Sequence, residues 1–149
     1  MAEQSHLEAI RVRREALHQA LVGLEDALAT PIGDAARWRL RVTMAVDHAV
    51  NRLEDHIRQT EAPTGFLQRV VEVEPRLARQ SERLRHDHDE LRQRAGKLSA
   101  ALTALDDDEV ADQGPGLRQD AIELMGELVR HRQRGADLIY EAYQVDIGA

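Results

Sequence analysis

Residues 77–105 read LARQSERLRHDHDELRQRAGKLSAALTAL, and a leucine occupies every seventh position of this segment. The repeat consists of Leu77, Leu84, Leu91, Leu98 and Leu105. A seven-residue apolar repeat forms one buried seam along a helix, so the segment predicts a long helix packed against others. His88 lies on that seam, four residues after Leu84 and three before Leu91.

Apolar residues at three- and four-residue spacing predict three further long helices, over about residues 5–29, 35–61 and 117–143. Residues 66–73 predict one or two helical turns, and the acidic residues 106–116, which include Gly and Pro, are expected to form a loop. Short connections favour antiparallel neighbours. The expected fold is therefore all-α, a single up-down-up-down four-helix bundle over residues 1–149.

Composition restricts the possible functions. The chain has no cysteine, which excludes disulfides, thiolate zinc sites and cysteine-ligated iron–sulfur clusters. A metal would have to be held by nitrogen and oxygen. The net charge of -7 argues against nucleic-acid binding, which needs a basic face. No apolar run approaches the ~20 residues of a membrane span, and the residues after Met1 do not form the apolar region of a signal peptide, so a cytoplasmic protein without a membrane partner is expected.

Each long predicted helix carries one histidine on or beside its apolar stripe: His18, His56, His88 and His131. Helices in a bundle turn their stripes toward a common axis, so the rings are expected to converge where neutral imidazole can bind iron or zinc. A single histidine in such a position is more often structural, so the prediction depends on the set. His48, in a polar row, is expected to be solvated.

Two carboxylates lie close to these histidines in sequence. Glu61 follows His56 by five residues, and Glu127 precedes His131 by four, on the same helix face. Four imidazoles with Glu61 and one further oxygen could hold two iron ions, whereas four histidines could also close around one zinc. Burial of Glu61 or Glu127 would be diagnostic, because a buried carboxylate needs a partner charge or a metal. Further candidate ligands are Glu15, Glu25, Glu54, Asp137, Tyr140 and Tyr143.

In the order of these residues along its sequence, the chain resembles the hemerythrin-like, or HHE cation-binding, family, and in particular its actinobacterial members. The resemblance covers most of the chain. It is carried by REALHQAL at residues 14–21, HIRQTE at 56–61, DHDEL at 87–91, LVRH at 128–131, YEAY at 140–143 and DIG at 146–148.

The resemblance implies a four-helix bundle around an oxo-bridged, non-heme di-iron centre that reacts with dioxygen, peroxide or nitric oxide. His18, His56, His88 and His131 would be the nitrogen ligands, Glu61 a bridging carboxylate, and Glu127 a further ligand. Turnover of peroxide or nitric oxide in stress defence is favoured over oxygen carriage. The alternatives are a non-catalytic oxygen or nitric oxide binder or sensor, and a metal-free interaction bundle.

The chain departs from the family pattern at several ligand positions. Thr60 stands four residues after His56, where the family often has glutamate. Gly135 and Ala136 stand where the fourth helix usually carries a carboxylate. Leu84 and Arg92 flank His88 at the spacing where the third helix often has a second histidine. A ligand set altered in this way is expected to bind metal through replacement residues, or weakly.

Overall fold

The structure, a computed structural model, describes residues 2–144, and this part of the chain is helical with short connections and contains no β-strand. The helices are α1 (Ala2–Leu28), α2 (Ala35–Glu61), α3 (Phe66–Val73), α4 (Ala78–Ala104) and α5 (Val110–Tyr143), with 3-10 turns at Pro75–Leu77 and Asp107–Glu109. Four of them are long, so the all-α prediction is confirmed. The segment DIG at 146–148 lies outside the described residues. Among the described helices, none combines the length and apolarity needed to cross a membrane.

The turn between α2 and α3 depends on a glycine. An added Cβ at Gly65 would collide with the backbone carbonyl oxygens of Gln59 and Thr60. Any side chain here would push α3 away from the end of α2. The glycine therefore lets α3 fold back against α2 and α4, at the end of α2 that carries His56.

The prediction of a loop at residues 106–116, with a helix starting at residue 117, is wrong. The backbone N–H of Asp106 donates to Glu109 Oε1 at 3.0 Å, which fixes the start of a 3-10 turn that continues into α5 at Val110. This local cap outweighs the breaker residues. Pro115 lies in the second turn of α5 and removes only the bond to the carbonyl of Ala111, a solvent-exposed residue.

The interior consists of two apolar clusters. The large apolar cluster includes Leu21, Leu24, Leu28, Trp38, Val42, Val46, Leu53, Ile57, Leu91, Leu98, Leu102, Leu105, Val110, Leu124 and Leu128. The small apolar cluster consists of Ile10, Phe66, Leu67, Val70, Leu77, Leu84, Leu138 and Ile139. Burying such side chains supplies most of the folding free energy.

Buried polar side chains separate these clusters along three helices. On α4, Leu84 belongs to the small apolar cluster and Leu91 to the large one, with His88 between them. On α1, Arg14 lies between the small cluster and the large one, and on α5 His131 and Arg132 lie between the large cluster and the small one. This polar layer consists of Arg14, Thr60, His88, His131 and Arg132, which are buried, and of the partly buried His56. The candidate site lies in this layer.

Candidate metal centre

Three histidines from three helices meet in the polar layer. Nε2 of His131 lies 3.1 Å from Nε2 of His88 and 3.3 Å from Nε2 of His56. One ring nitrogen from each residue lies within 4.8 Å of the others. His88 and His131 are 1% and 3% exposed, and the ring of the partly buried His56 packs against both. The predicted convergence of imidazoles is therefore confirmed for three of the four helices.

The spacing of the nitrogens fits one metal ion. Bonds of about 2.0–2.1 Å in tetrahedral geometry place two nitrogen ligands about 3.3 Å apart. The observed separations of 3.1 and 3.3 Å agree with that value. Three imidazoles from separate helices would hold an ion rigidly and leave a fourth position open.

A carboxylate and an arginine support the far side of the His131 ring. Asp87 Oδ2 lies 3.3 Å from His131 Nδ1, and Arg134 Nε donates to the same oxygen at 2.8 Å. The Asp87 side chain is only 14% exposed. A carboxylate facing Nδ1 favours the tautomer with its proton on Nδ1, so that Nε2 carries a free lone pair.

Glu61 takes a related place behind His88. Its Oε1 lies 3.5 Å from His88 Nδ1 and 3.9 Å from Arg85 Nη1. The first distance is too long for a well-formed hydrogen bond, and within the described part of the chain His88 Nδ1 is buried without a hydrogen-bond partner. Glu61 thus faces Nδ1, whereas the Nε2 atom of the same ring points toward His131.

Burial lowers the pKa of all three imidazoles, because removing water penalises the charged ring. The pKa of His88 and the pKa of His131 are each lowered to about 4. The pKa of His56 falls well below 6.5, and the neighbouring His131 and His88 add to the effect of burial. The three rings are therefore neutral near pH 7, which is the state in which imidazole binds a metal.

His18 and Glu127 lie apart from this group. His18 Nδ1 accepts a hydrogen bond from Arg132 Nη1 at 3.3 Å, and its nitrogens are not among the converging ligand atoms. Glu127 is paired with Arg130 at 2.5 Å, and its side chain is 37% exposed. Glu61 is 30% exposed, so neither carboxylate shows the burial that would have been diagnostic. His48 is exposed, as predicted.

The remaining candidate ligands are also outside the group of three. Glu54 is held at the surface by Arg92, at 2.7 and 2.9 Å, and Asp137 accepts from Gln133. Tyr143 packs against the small apolar cluster. Glu15, Glu25 and Tyr140 are exposed.

Sequence reasoning missed Asp87, Arg14 and Arg132. The available signal was position, because Arg14 follows the core residue Ile10 by four and Arg132 follows Leu128 by four. Asp87 follows Leu84 by three. A buried charged residue needs a partner charge or a ligand. Asp87 contacts His131, and Arg14 and Arg132 line a cavity beside the three histidines.

A cavity of about 30 Å³ adjoins the three histidines, enough for about two water molecules. Its apolar walls include Leu84, Phe66 and Ile139. Its polar walls are formed by His56, Gln59, Thr60, His88, His131 and three arginines, Arg13, Arg14 and Arg132.

A scan against models of known protein families, a search of curated proteins and a search of solved structures each found no match to this chain. The resemblance to hemerythrin-like proteins is thus carried by the quoted segments alone, and it stays a prediction.

Proposed function

We propose that this protein binds one divalent metal ion, iron or zinc, through Nε2 of His56, His88 and His131, and offers its open position to a small ligand. The observation that carries the proposal is the 3.1 Å approach of two Nε2 atoms whose rings both turn Nδ1 toward a carboxylate. The arrangement of bundle helices in an up-down-up-down order and a cytoplasmic location belong to the same proposal.

The tautomers argue for a cation between the rings. If Asp87 and Glu61 keep the protons of His131 and His88 on Nδ1, both Nε2 atoms carry bare lone pairs that face each other. Two lone pairs at this distance repel, and a cation between them turns the repulsion into two bonds. A proton would not take the place of this cation near pH 7, because the pKa of each ring is lowered to about 4.

The donor set favours one ion over two. Three nitrogens converge, and among the described residues no carboxylate oxygen joins that group. Glu61 faces the opposite nitrogen of His88. We therefore assign Glu61 and Asp87 the role of orienting the ligand histidines, which commonly changes metal affinity 10–100-fold.

A di-iron, hemerythrin-like centre is the second candidate. The observation in its favour is the partial exposure of Glu61, 30%, which leaves its carboxylate free to rotate toward the Nε2 side of the rings. This candidate needs Glu61 as a bridge and a further ligand, with His18 or Glu127 as the residues the resemblance implies.

The ligand would be small. When bound, the metal supplies a Lewis-acidic or redox-active centre with one open position. The cavity of about 30 Å³ admits molecules of the size of dioxygen, nitric oxide or peroxide. Leu84, Phe66 and Ile139 limit bulk water there. Turnover of peroxide or nitric oxide and non-catalytic binding of the same ligands are both compatible with this site. A metal-free interaction bundle is the alternative without a metal.

Elemental analysis of protein purified from cells supplied with iron and zinc tests the proposal. We expect one metal ion per chain, its loss in His131→Ala, and its retention in His48→Ala, a matched variant of an exposed histidine on α2. Retention in His18→Ala would separate the single-ion site from the di-iron centre.

Two outcomes would change the assignment. Two irons per chain, with near-ultraviolet and visible absorption typical of an oxo-bridged ferric pair, would favour the di-iron candidate. Equal metal content in wild type and His131→Ala would reject the histidine site. Consumption of hydrogen peroxide or nitric oxide beyond one equivalent would then distinguish an enzyme from a binder.

A further inference from the structure

Two arginines are buried beside the histidine group. Arg14 of α1 and Arg132 of α5 are 6% and 8% exposed, and both line the cavity. Arg14 Nη2 donates to the backbone carbonyl oxygen of Arg132 at 3.0 Å, which fixes the two residues against each other. Burial and the nearby charge of Arg132 lower the pKa of Arg14 to about 10, so Arg14 stays charged near pH 7. Arginine is not deprotonated in proteins at this pH, so Arg132 is charged as well.

Within the described part of the chain, the charge of Arg132 lacks a close counter-charge. Between residues 2 and 144, no carboxylate oxygen lies within 4 Å of its guanidinium. Its Nη1 donates to His18 Nδ1, and in the same part of the chain its Nε is buried without a hydrogen-bond partner. Among the described carboxylates, the exposed Glu15 acts on it from a longer distance. A buried cation with free donors is costly unless an anion meets it.

The cavity provides further polar groups and limits the size of the ligand. Gln59 lines it, and within the described residues its Oε1 is buried without a hydrogen-bond partner. The two ends of an amide can be exchanged, so Gln59 can also present a donor. A Cβ at Gly135 would lie 3.2 Å from Arg14 Nη1, so the glycine makes room for the guanidinium. Space for about two water molecules suits three or four non-hydrogen atoms.

We propose that this cavity binds a small monovalent oxyanion, of the formate, nitrite or bicarbonate class, between Arg132 and Arg14. A guanidinium matches the two oxygens of a planar oxyanion with paired N–H donors. The three neutral histidines and Gln59 complete a pocket without a competing carboxylate among the described side chains that line it. Sulfate and phosphate, with five non-hydrogen atoms, exceed the space. The proposal does not require a bound metal.

Thermal unfolding of the metal-free full chain, followed by circular dichroism, tests this site with sodium formate as the probe. At constant ionic strength set with sodium chloride, formate is expected to raise Tm of the wild type along a saturable curve. Arg132→Gln should lose the saturable part, and Arg132→Lys should weaken it because lysine lacks the paired donors. Arg130→Gln, which changes an exposed arginine of the same helix, should leave the curve unchanged.

Arg132→Gln also distinguishes anion binding by Arg132 from a purely structural role of this residue. Because Arg132→Gln removes a buried charge that has no close carboxylate among the described residues, we expect a folded protein with unchanged helicity and no loss of Tm in formate-free buffer. A large loss there would make Arg132 structural and overturn the proposal. An unchanged formate curve in Arg132→Gln, or an equal saturable effect of sulfate, would do the same.

A counter-charge from the chain itself gives a different result. If the chain itself supplies the anion, the wild type shows no saturable formate effect, and the proposal is wrong. Asp87→Asn, at a position that does not line the cavity, should retain the formate effect while it weakens metal binding, so the metal proposal and the anion proposal can fail separately.

Discussion

The large apolar cluster and the polar layer are built by the same helices with the same three- and four-residue spacing, yet they differ in chemistry. On α4, Leu91 and Leu98 continue the seam that His88 interrupts. On α1, Arg14 occupies the seam between Ile10 and Leu17. The comparison shows that the spacing decides which residues are buried, whereas the residue type decides whether a buried position stabilises the fold or binds a ligand.

The two regions also differ in what they require from their surroundings. Leu, Val and Trp side chains gain free energy when they leave water. A histidine or arginine in the same position loses solvation and must regain it from partners. Replacing a buried polar group by a well-packed apolar one is often neutral or stabilising, so the polar layer is better explained by ligands than by stability.

The largest effect is expected from truncation in the large apolar cluster. Trp38 has no exposed surface, and Trp38→Ala should lower the free energy of unfolding by about 3–5 kcal/mol, since it leaves a cavity that the neighbours fill only in part. Urea denaturation at pH 7 measures this loss. His88→Leu in metal-free protein is the comparison, and a loss as large as that of Trp38→Ala would contradict the distinction between the two regions.

Lowering the pH should reduce the free energy of unfolding of the metal-free protein, because the buried histidines of the polar layer bind protons poorly in the folded state. The unfolded chain binds a proton to His88 or His131 near pH 6.5, whereas the folded chain binds it only near pH 4. The unfolded state therefore holds more protons between these values, and stability falls as the pH falls through this window. The expected loss at pH 5 is on the order of 2 kcal/mol for each of these rings, because each is protonated in the unfolded chain and still neutral in the folded one.

Denaturation curves at pH 7, 6 and 5 measure this slope. The double variant His88→Leu, His131→Leu should show a flatter dependence on pH than wild type. Parallel slopes in the two proteins would show that other groups cause the acid sensitivity.

Removal of the carboxylate behind His131 is expected to have a smaller effect that appears in metal binding. Asp87→Asn should weaken metal affinity about 10–100-fold, because the neutral amide stabilises the proton on Nδ1 less than a carboxylate does. Asp89→Asn, at an exposed position on the same helix, is the matched control. Competition titration with a chelating dye measures the metal affinity of both variants. Equal affinities in Asp87→Asn and Asp89→Asn would show that Asp87 does not orient His131 for metal binding.

The sequence predicted the helices and the buried histidines because both follow from spacing. Leu77 to Leu105 and His88 share one seam, and that seam is buried as expected. The start of α5 was missed, because the cap formed by Asp106 and Glu109 is a local hydrogen bond that outweighs Gly114, Pro115 and Gly116. Its signal was an acidic residue three positions after an aspartate.

The site was predicted only in part, since contacts between helices depend on how each helix is rotated about its axis as well as on the spacing of residues along it. His18 lies beside its stripe, and the guanidinium of Arg132 meets it there. Glu61 reaches His88 of α4, although the sequence paired it with His56 of its own helix. Neither contact can be read from one helix alone, because each requires the relative rotation of two.

The smallest effect is expected at Glu127, which the sequence predicted as a ligand. Its carboxylate is bonded to Arg130 on its own helix, and this bond lowers the pKa of Glu127. An exposed pair three residues apart contributes little, so Glu127→Gln should change the free energy of unfolding by no more than about 0.5 kcal/mol and leave metal content unchanged. Glu61→Gln is the informative partner, because Glu61 faces a buried ring. Reduced metal content in Glu127→Gln together with full content in Glu61→Gln would reverse the roles inferred for these carboxylates.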